Sequence, residues 1–469
     1  MTFSHNFDET SLREYDIRGI IGKTLTEKDA YAVGRVFGYI VAKEGGKTLV
    51  IGYDGRTSSP QLEEHLIKGA MDAGLHVISV GCGPTPMLYF ASVTLKADGA
   101  VMITGSHNPA DYNGFKMMLK GKPFFGSQIQ ELGKLSAAGG LGENKKGSSE
   151  NVDIKKEYIA RLLKDWTGGS KTLKVVWDNG NGAAGDILSQ LVKGLPGEHI
   201  LLNAKIDGTF PAHHPDPTVA KNLEQLITEV KKQKADIGIA FDGDADRIGV
   251  VDDQGSILWG DQLLVVYGRE VLKTHPAATI IADVKASQVL FDEIKKAGGN
   301  PLMWKTGHSL IKAKMAETKS PLAGEMSGHV FFADKWYGFD DGLYAAIRIL
   351  DIVARLDKPL SAVLAEMPKT ISTPELRFEC EDTRKFEVIK EVAERLRQEK
   401  ADVSEIDGVR VNTPDGWWLL RASNTQAVLV ARAEGKSQEG LEKLKQALVS
   451  QLEKSGLKAP DFSGEHAPH

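Results

Sequence analysis

The sequence predicts an α/β fold of three related mixed-sheet domains plus a C-terminal α+β domain around one central cleft. Three observations predict it. A unit made of a β-branched run, an Asp, a small-residue turn and a helical stretch recurs three times. Each unit is followed by a second short strand that ends in a polar loop. The last hundred or so residues abandon this order for paired strands between two amphipathic helices.

The first unit is TLVIGYD, ending at Asp54, followed by GRTSSPQLEEHLIKGAMDAG. The second is LKVVWD, ending at Asp178, followed by NGNGAAGDILSQLV. The third is ATIIAD, ending at Asp283, followed by VKASQVLFDEIKKAG. A short apolar run feeding a helix through such a turn is the pattern of a buried parallel strand. The second strands are ADGAVMI leading to TGSHNP, ADIGIAF leading to DGDADR, and SPLA leading to GEMSGH. Repeats of this period imply duplicated domains. Ligands in open α/β sheets bind beyond the carboxyl ends of strands, so the three polar loops are expected to face one cleft. After a linker near MPKTISTPELRFEC comes the helix EVIKEVAERLRQE, with Val388, Val392 and Leu396 as its core face. The strands DGVRVNTP and WWLLRAS flank Asp415-Gly416, a hairpin turn signal. The expected domains are 1–153, 154–256, 257–368 and 369–469.

Composition narrows the function. A formal charge of -5 over 469 residues argues against nucleic acid or an anionic membrane as the main partner. Two cysteines, Cys82 and Cys380, cannot build a disulfide framework or a four-thiolate zinc site within one chain. With no apolar signal region near the start and no run approaching a membrane span, a cytoplasmic location is expected.

Three loops carry chemistry. Thr104-Gly105-Ser106-His107-Asn108-Pro109 leaves a strand through a sharp turn and exposes Ser106. Read alone, it is an ordinary turn or a nucleophile loop. The flanks are not G-x-S-x-G, and His107, adjacent in sequence, is expected to point away from the serine. In Asp242-Gly243-Asp244-Ala245-Asp246-Arg247, carboxylates at alternate positions converge on one side, while Gly and Ala keep the other clear. The loop is a solvated acidic turn or a metal site: buried together, such carboxylates repel one another unless a cation lies among them, and all-oxygen ligation favours Mg²⁺. An EF-hand is disfavoured, because its sixth and twelfth positions would be Arg247 and Asp253. Arg247 buffers that charge or meets a phosphate. Arg421-Ala422-Ser423-Asn424-Thr425 offers a guanidinium fork, hydroxyls and amides to an anion, or is a plain turn. The loop 324–329 places an acceptor and a hydroxyl where they suit a polyol, and Lys285, Lys305 and His308 lie in turns after strands. No GxxxxGK[ST] loop is present, so a nucleoside-triphosphate site of that kind lacks support.

Read in order, REYDIRG, TGSHNP, NGFK, DGDADR, DVKAS, KTGHS, GEMSGH and RASNT resemble the α-D-phosphohexomutase family. GEMSGH is most similar to its bifunctional phosphomannomutase/phosphoglucomutase branch. The resemblance implies four domains around one cleft. It also implies reversible phosphoryl transfer between C1 and C6 of hexose phosphates, mannose or glucose or both, through a hexose 1,6-bisphosphate that is intermediate and activator. Ser106 would be carried as phosphoserine, and Asp242, Asp244 and Asp246 would hold Mg²⁺ together with a phosphoserine oxygen. Lys116, Arg247 and His308 join Ser106 as catalytic candidates. Glu325 and Ser327 would read the sugar's O3 and O4, and Arg421, Ser423, Asn424 and Thr425 would grip the unreacting phosphate. Tyr15, Arg18, Lys285 and His329 would line the cleft. Hexose 1- and 6-phosphates are the expected partners of a monomer. The competing readings are a phosphoglucosamine mutase, a metal-dependent sugar phosphatase and a non-catalytic sugar-phosphate sensor. After Thr425 the chain reads Gln426-Ala427, where relatives often have Glu-Pro or Thr-Pro; without Pro the loop lacks a preset φ.

Overall fold

The expected strands form, and the structure explains why each Asp closes its run. In this computed structural model, which describes residues 3–142, 145–424, 426–458, 460 and 462, the strands make four sheets. In the first, Thr48–Tyr53 lies parallel to Gly99–Ile103, which runs antiparallel to Tyr112–Leu119. In the second, Leu173–Asp178 lies parallel to Ile237–Phe241, which runs antiparallel to Ile248–Asp252. In the third, Thr279–Asp283 lies parallel to Leu322–Gly324, which runs antiparallel to Val330–Phe332. The three sheets therefore share one core motif, a parallel pair followed by an antiparallel return. The central strands are buried end to end, as their unbroken apolar runs require.

The shared motif puts each polar loop at the same place, past the carboxyl end of the middle strand. In the first and third sheets the strand-end aspartate then holds the neighbouring loop. Gly105 N donates to Asp54 Oδ2 at 3.0 Å, and Met326 N donates to Asp283 Oδ1 at 3.1 Å. A buried carboxylate that accepts backbone N–H groups fixes a loop that has no ladder of its own.

One apolar core runs through the first three domains, joining Met102, Trp177, Ile239, Leu264, Phe332 and Tyr344. The fourth domain has a core of its own, in which Val388, Val392 and Leu396 of the helix Asp382–Gln398 pack against Trp418 and Leu448. A small patch of Val284, Met303, Trp417 and Leu419 joins it to the third. The predicted hairpin is present with a different turn. Thr413 pairs with Gly416, so Pro414 and Asp415 form the two-residue loop and Gly416 opens the return strand at φ 144°. No helix among the described residues is long and apolar enough to cross a membrane.

The helices Glu27–Lys43 and Ser59–Asp72 cross at two glycines. A Cβ on Gly34 would come within 2.1 Å of Leu66 O, and one on Gly69 within 2.2 Å of Tyr31 O. Gly34→Ala must push these backbones apart. It is expected to cost about 1–3 kcal/mol, read as a lower midpoint of the first transition in urea.

Candidate active site

The serine loop is tight enough to need strain. Ser106 has φ 49°, in the left-handed region, and its backbone N–H is held by Thr104 Oγ1 at 2.8 Å. This conformation turns Ser106 Oγ toward the acidic loop, where it donates to Asp242 Oδ2 at 3.1 Å. It also corrects the expectation for His107, whose Nδ1 lies 3.2 Å from Ser106 Oγ. An extended strand would send neighbouring side chains to opposite faces, but the left-handed residue brings them to one side. Burial, followed by Arg247 and Arg18, lowers the His107 pKa well below the ordinary imidazole value.

Beneath the loop lies Arg56, which sequence reasoning did not single out. Its Nη2 donates to the carbonyls of Ser106 and Asn108 at 2.9 and 2.6 Å, and its Nη1 to those of Pro109 and Tyr112 at 2.5 and 2.9 Å. The guanidinium itself rests on Asp54. Gly105 is required here, because an added Cβ would lie 2.4 Å from Arg56 Cζ. From the outer side Arg18 Nη1 donates to Asn108 Oδ1 at 2.6 Å.

Asp242, Asp244 and Asp246 are fully buried, and one oxygen from each lies within 4.8 Å of the others. Ala245 stands between them at φ 55° with no exposed surface. Lys116 Nζ, from the strand Tyr112–Leu119, donates to Asp244 Oδ2 at 2.8 Å and Asp246 Oδ2 at 2.5 Å. Burial opposes the lysine's charge, but Asp244 and Asp246 overcome it and hold the Lys116 pKa well above normal. Asp242 is pushed the other way: burial, then Asp244 and Asp246, raise its pKa well above the carboxylate range. Thr85 Oγ1 donates to Asp244 Oδ2 at 2.5 Å, while Asp244 Oδ1 has no hydrogen-bond partner among the described residues. An all-oxygen, crowded and partly unpaired carboxylate set fits a hard divalent cation.

The third domain closes this group. Arg247 and His329 form an isolated antiparallel bridge, and Ile248 N donates to Gly328 O at 3.0 Å. His329 lies between two carboxylates, with Nδ1 2.8 Å from Glu325 Oε2 and Nε2 3.3 Å from Asp246 Oδ1. Against the effect of burial, Asp246 and Glu325 push its pKa up to about 9. His308 stacks on it at 5.5 Å and shifts oppositely: burial, then Lys312, lowers the His308 pKa well below normal. Ser327 Oγ lies 3.1 Å from His329 Nδ1, and Gly307 N donates to Glu325 Oε1 at 2.6 Å.

The remaining candidates lie toward the fourth domain. Lys285 Nζ donates to Glu375 Oε2 at 2.7 Å, and Arg421 Nε to Asp407 Oδ2 at 3.0 Å. Asn424 Nδ2 donates to Tyr15 OH at 2.9 Å, which in turn donates to Thr306 O at 2.8 Å. Ser423 Oγ accepts from Gln426 N at 3.2 Å, and Arg377 Nη1 donates to Gln426 Oε1 at 2.8 Å. Gln426 thus anchors by hydrogen bonds the loop that no proline presets. Thr425 lies outside the described residues, and Lys305 is exposed. The repeat carried a signal for Arg56, because it follows Asp54 by two residues as Lys285 follows Asp283. Thr85, Glu375 and Asp407 had none.

Family models described as phosphoglucomutase/phosphomannomutase alpha/beta/alpha domains I, II and III match residues 9–140, 156–255 and 259–371. The C-terminal domain of the same family matches residues 375–451. The chain belongs to the phosphoglucomutase/phosphomannomutase family. It is 46% identical over 444 residues to a phosphomannomutase/phosphoglucomutase of Pseudomonas putida, covering 95% of this chain and 96% of that one. It is 45% identical over 451 residues to a phosphoglucomutase of Neisseria meningitidis, covering 96% and 98%. The crystal structure of a phosphoglucomutase/phosphomannomutase family protein from Burkholderia thailandensis superposes with a TM-score of 0.90 at 44% identity, covering 97% of this chain and 99% of that one. As a member of this family the chain is an isomerase, and the phosphatase, phosphoglucosamine-mutase and sensor readings are not favoured.

Arg56→Ala would leave four carbonyls of the serine loop without their donor and Asp54 without its cation. Breaking a buried pair in this way is expected to cost about 3–5 kcal/mol, read as a lower first transition in thermal unfolding.

Proposed function

We propose that this chain moves a phosphoryl group reversibly between C1 and C6 of hexose phosphates through phosphoserine at Ser106. The observation that carries the reading is Ser106 Oγ, buried and 3.1 Å from Asp242 Oδ2 at the edge of three buried carboxylates. A phosphoryl group there would add about -1.5 to -2 charges. Beside three carboxylates, that surplus calls for Mg²⁺ held by Asp242, Asp244, Asp246 and a phosphoserine oxygen. When bound, the ion supplies charge neutralisation for the transferring group.

The chain's own residues account for the rest. In the first step the bond from phosphorus to Ser106 Oγ breaks, and one forms to a sugar hydroxyl oxygen. The product is a hexose 1,6-bisphosphate, which reorients and returns its other phosphoryl group to Ser106. The sugar proton needs an acceptor, and the serine oxygen a counter-charge. The stacked histidines divide such work by environment: His308 is kept neutral and can accept a proton, while His329 is kept charged. Lys116, held protonated by two carboxylates, and Arg247 supply positive charge where the phosphoryl group crosses.

Glu325 and Ser327 are suited to the sugar's O3 and O4, which lie between C1 and C6 and exchange places when the sugar flips. Glu325 gives one oxygen to Gly307 N and the other to His329, and each retains a lone pair. Arg421, Ser423, Asn424 and Thr425 would grip the phosphate that does not react, with Tyr15, Arg18 and Lys285 lining the path between. The fourth domain, in contact with Tyr15 through Asn424, would exclude water from the phosphoserine. The same reading makes the enzyme a cytoplasmic monomer, in keeping with its free Cys82 and Cys380.

Purified protein should carry an adduct of roughly 80 Da by intact mass, absent from Ser106→Ala. An unmodified, fully active wild type would count against the reading. Because O2 is left unread, mannose and glucose phosphates should differ in kcat/KM by less than about a thousandfold in steady-state assays.

A further inference from the structure

The strand-end aspartates of the three related domains each meet a base, but the second takes its base from elsewhere. Arg56 follows Asp54 by two residues, and its Nε lies 3.1 Å from Asp54 Oδ2. Lys285 follows Asp283 by two residues, and its Nζ lies 3.8 Å from Asp283 Oδ2. The same place after Asp178 holds Gly180, at φ 53°. A Cβ there would come within 3.1 Å of Pro215 Cβ and 3.4 Å of His213 Cε1. The space is occupied by a remote segment, and His213 Nε2 donates to Asp178 Oδ2 at 2.8 Å. Its other nitrogen, Nδ1, lies 2.9 Å from the carbonyl oxygen of His214. Both partners are acceptors, so the ring is placed to donate from both nitrogens, as a protonated imidazole does. The Asp178 hydrogen bond raises its pKa in the same sense.

The segment that His213 anchors lies against the acidic loop. A Cβ on Gly243 would come within 3.5 Å of Pro215 Cγ, and within 2.4 Å of Ser106 O on its other side. A Cβ on Gly249, just past the loop, would lie 2.6 Å from Pro217 Cβ. Between the prolines, Asp216 Oδ1 accepts from Thr218 N and Oγ1 at 2.9 and 2.7 Å and fixes the turn. Residues 215–217 therefore touch both flanks of the loop 242–247.

We propose that His213 is a positioning residue: bound to Asp178, it clamps residues 213–217 onto the acidic loop and so sets Asp242, Asp244 and Asp246 for a divalent cation. It replaces, from a remote segment, the base that the other two domains carry beside their own aspartate. The proposal rests on the metal role assigned above, and it adds a residue that touches neither metal nor substrate.

The test is Mn²⁺ binding, followed by the paramagnetic signal of the free ion, in the whole chain, His213→Gln and His213→Lys, with melting temperatures alongside. His213→Gln is expected to bind Mn²⁺ on the order of tenfold more weakly, while kcat at saturating Mg²⁺ stays within about threefold. His213→Lys restores a cation beside Asp178 and is expected to recover most of the affinity. Unchanged Mn²⁺ affinity in His213→Gln overturns the proposal, as does a lower kcat with no change in metal binding. If His213→Gln does not fold, His213→Lys decides: near-normal affinity supports the clamp, and a loss as large as tenfold overturns it. A wild-type chain that binds no Mn²⁺ overturns the metal role and the clamp together, which separates that failure from the others.

Discussion

Three fully buried carboxylates on one short loop are the constraint around which the first three domains are arranged. Like charges in a low-dielectric interior are not tolerated without counter-charge. One domain cannot surround its own loop, so the cations arrive from three. Lys116 comes from the first sheet, Arg247 from the loop's own end, and His329 from the third sheet. Backbone bonds follow the same route: Thr85 N donates to Asp244 O at 2.9 Å, and Gly342 N to Ala245 O at 3.1 Å. The apolar core running through all three domains keeps these partners in register. A hinge between any two of them would pull a cation away from buried charge.

Much of this was legible in the sequence because the relevant signals are local. An unbroken apolar run, an Asp at its end and a small-residue turn together specify a buried strand and the loop beyond it. The core face of Val388, Val392 and Leu396 follows from period alone. What stayed hidden depended on backbone turns or on contacts between domains. His107 lies beside Ser106 because one residue adopts a left-handed conformation, which alternation along a strand does not anticipate. The turn residues Pro414 and Asp415 were displaced by one from the Asp-Gly signal, because Gly416 is needed where an added Cβ would lie 2.0 Å from Glu434 O. Asp407 and Glu375 sit in segments without a motif and matter only because the fourth domain brings them to Arg421 and Lys285.

The three domains also show how a repeated device diverges. In the first and third, the strand-end aspartate reaches sideways to an N–H of the adjacent loop, one past the residue opposite it. In the second, Asp178 lies opposite Ala240, so the corresponding N–H belongs to the strand and is not free for a loop. The carboxylate instead accepts from Gly180 N, Asn203 Nδ2 and His213 Nε2. A shift of register thus accounts for the different set of partners that Asp178 collects.

The fourth domain relates to this assembly differently, and the difference suits a moving part. Its core is separate, and its apolar contact with the third domain is small. Most of what joins them is polar and geometrically specific: Arg410 Nη1 donates to Val284 O and Ala286 O, both at 2.7 Å, and Arg432 Nη1 to Lys285 O at 2.5 Å. Arg410 also lies 3.7 Å above the Trp417 ring. Such contacts fix an orientation without fusing two cores. On the far side, contact with the first domain includes the bond from Asn424 to Tyr15. Tyr15 packs edge-on against His308 at 6.0 Å, and His308 stacks on His329, which faces Asp246. A continuous line of contacts therefore runs from the fourth domain's loop to the carboxylates. Because that line passes through the two oppositely shifted histidines, opening the fourth domain would rehydrate His308 and weaken the burial that keeps it neutral. On the proposed mechanism, closure and the readiness of His308 to accept a proton would be two consequences of one set of contacts.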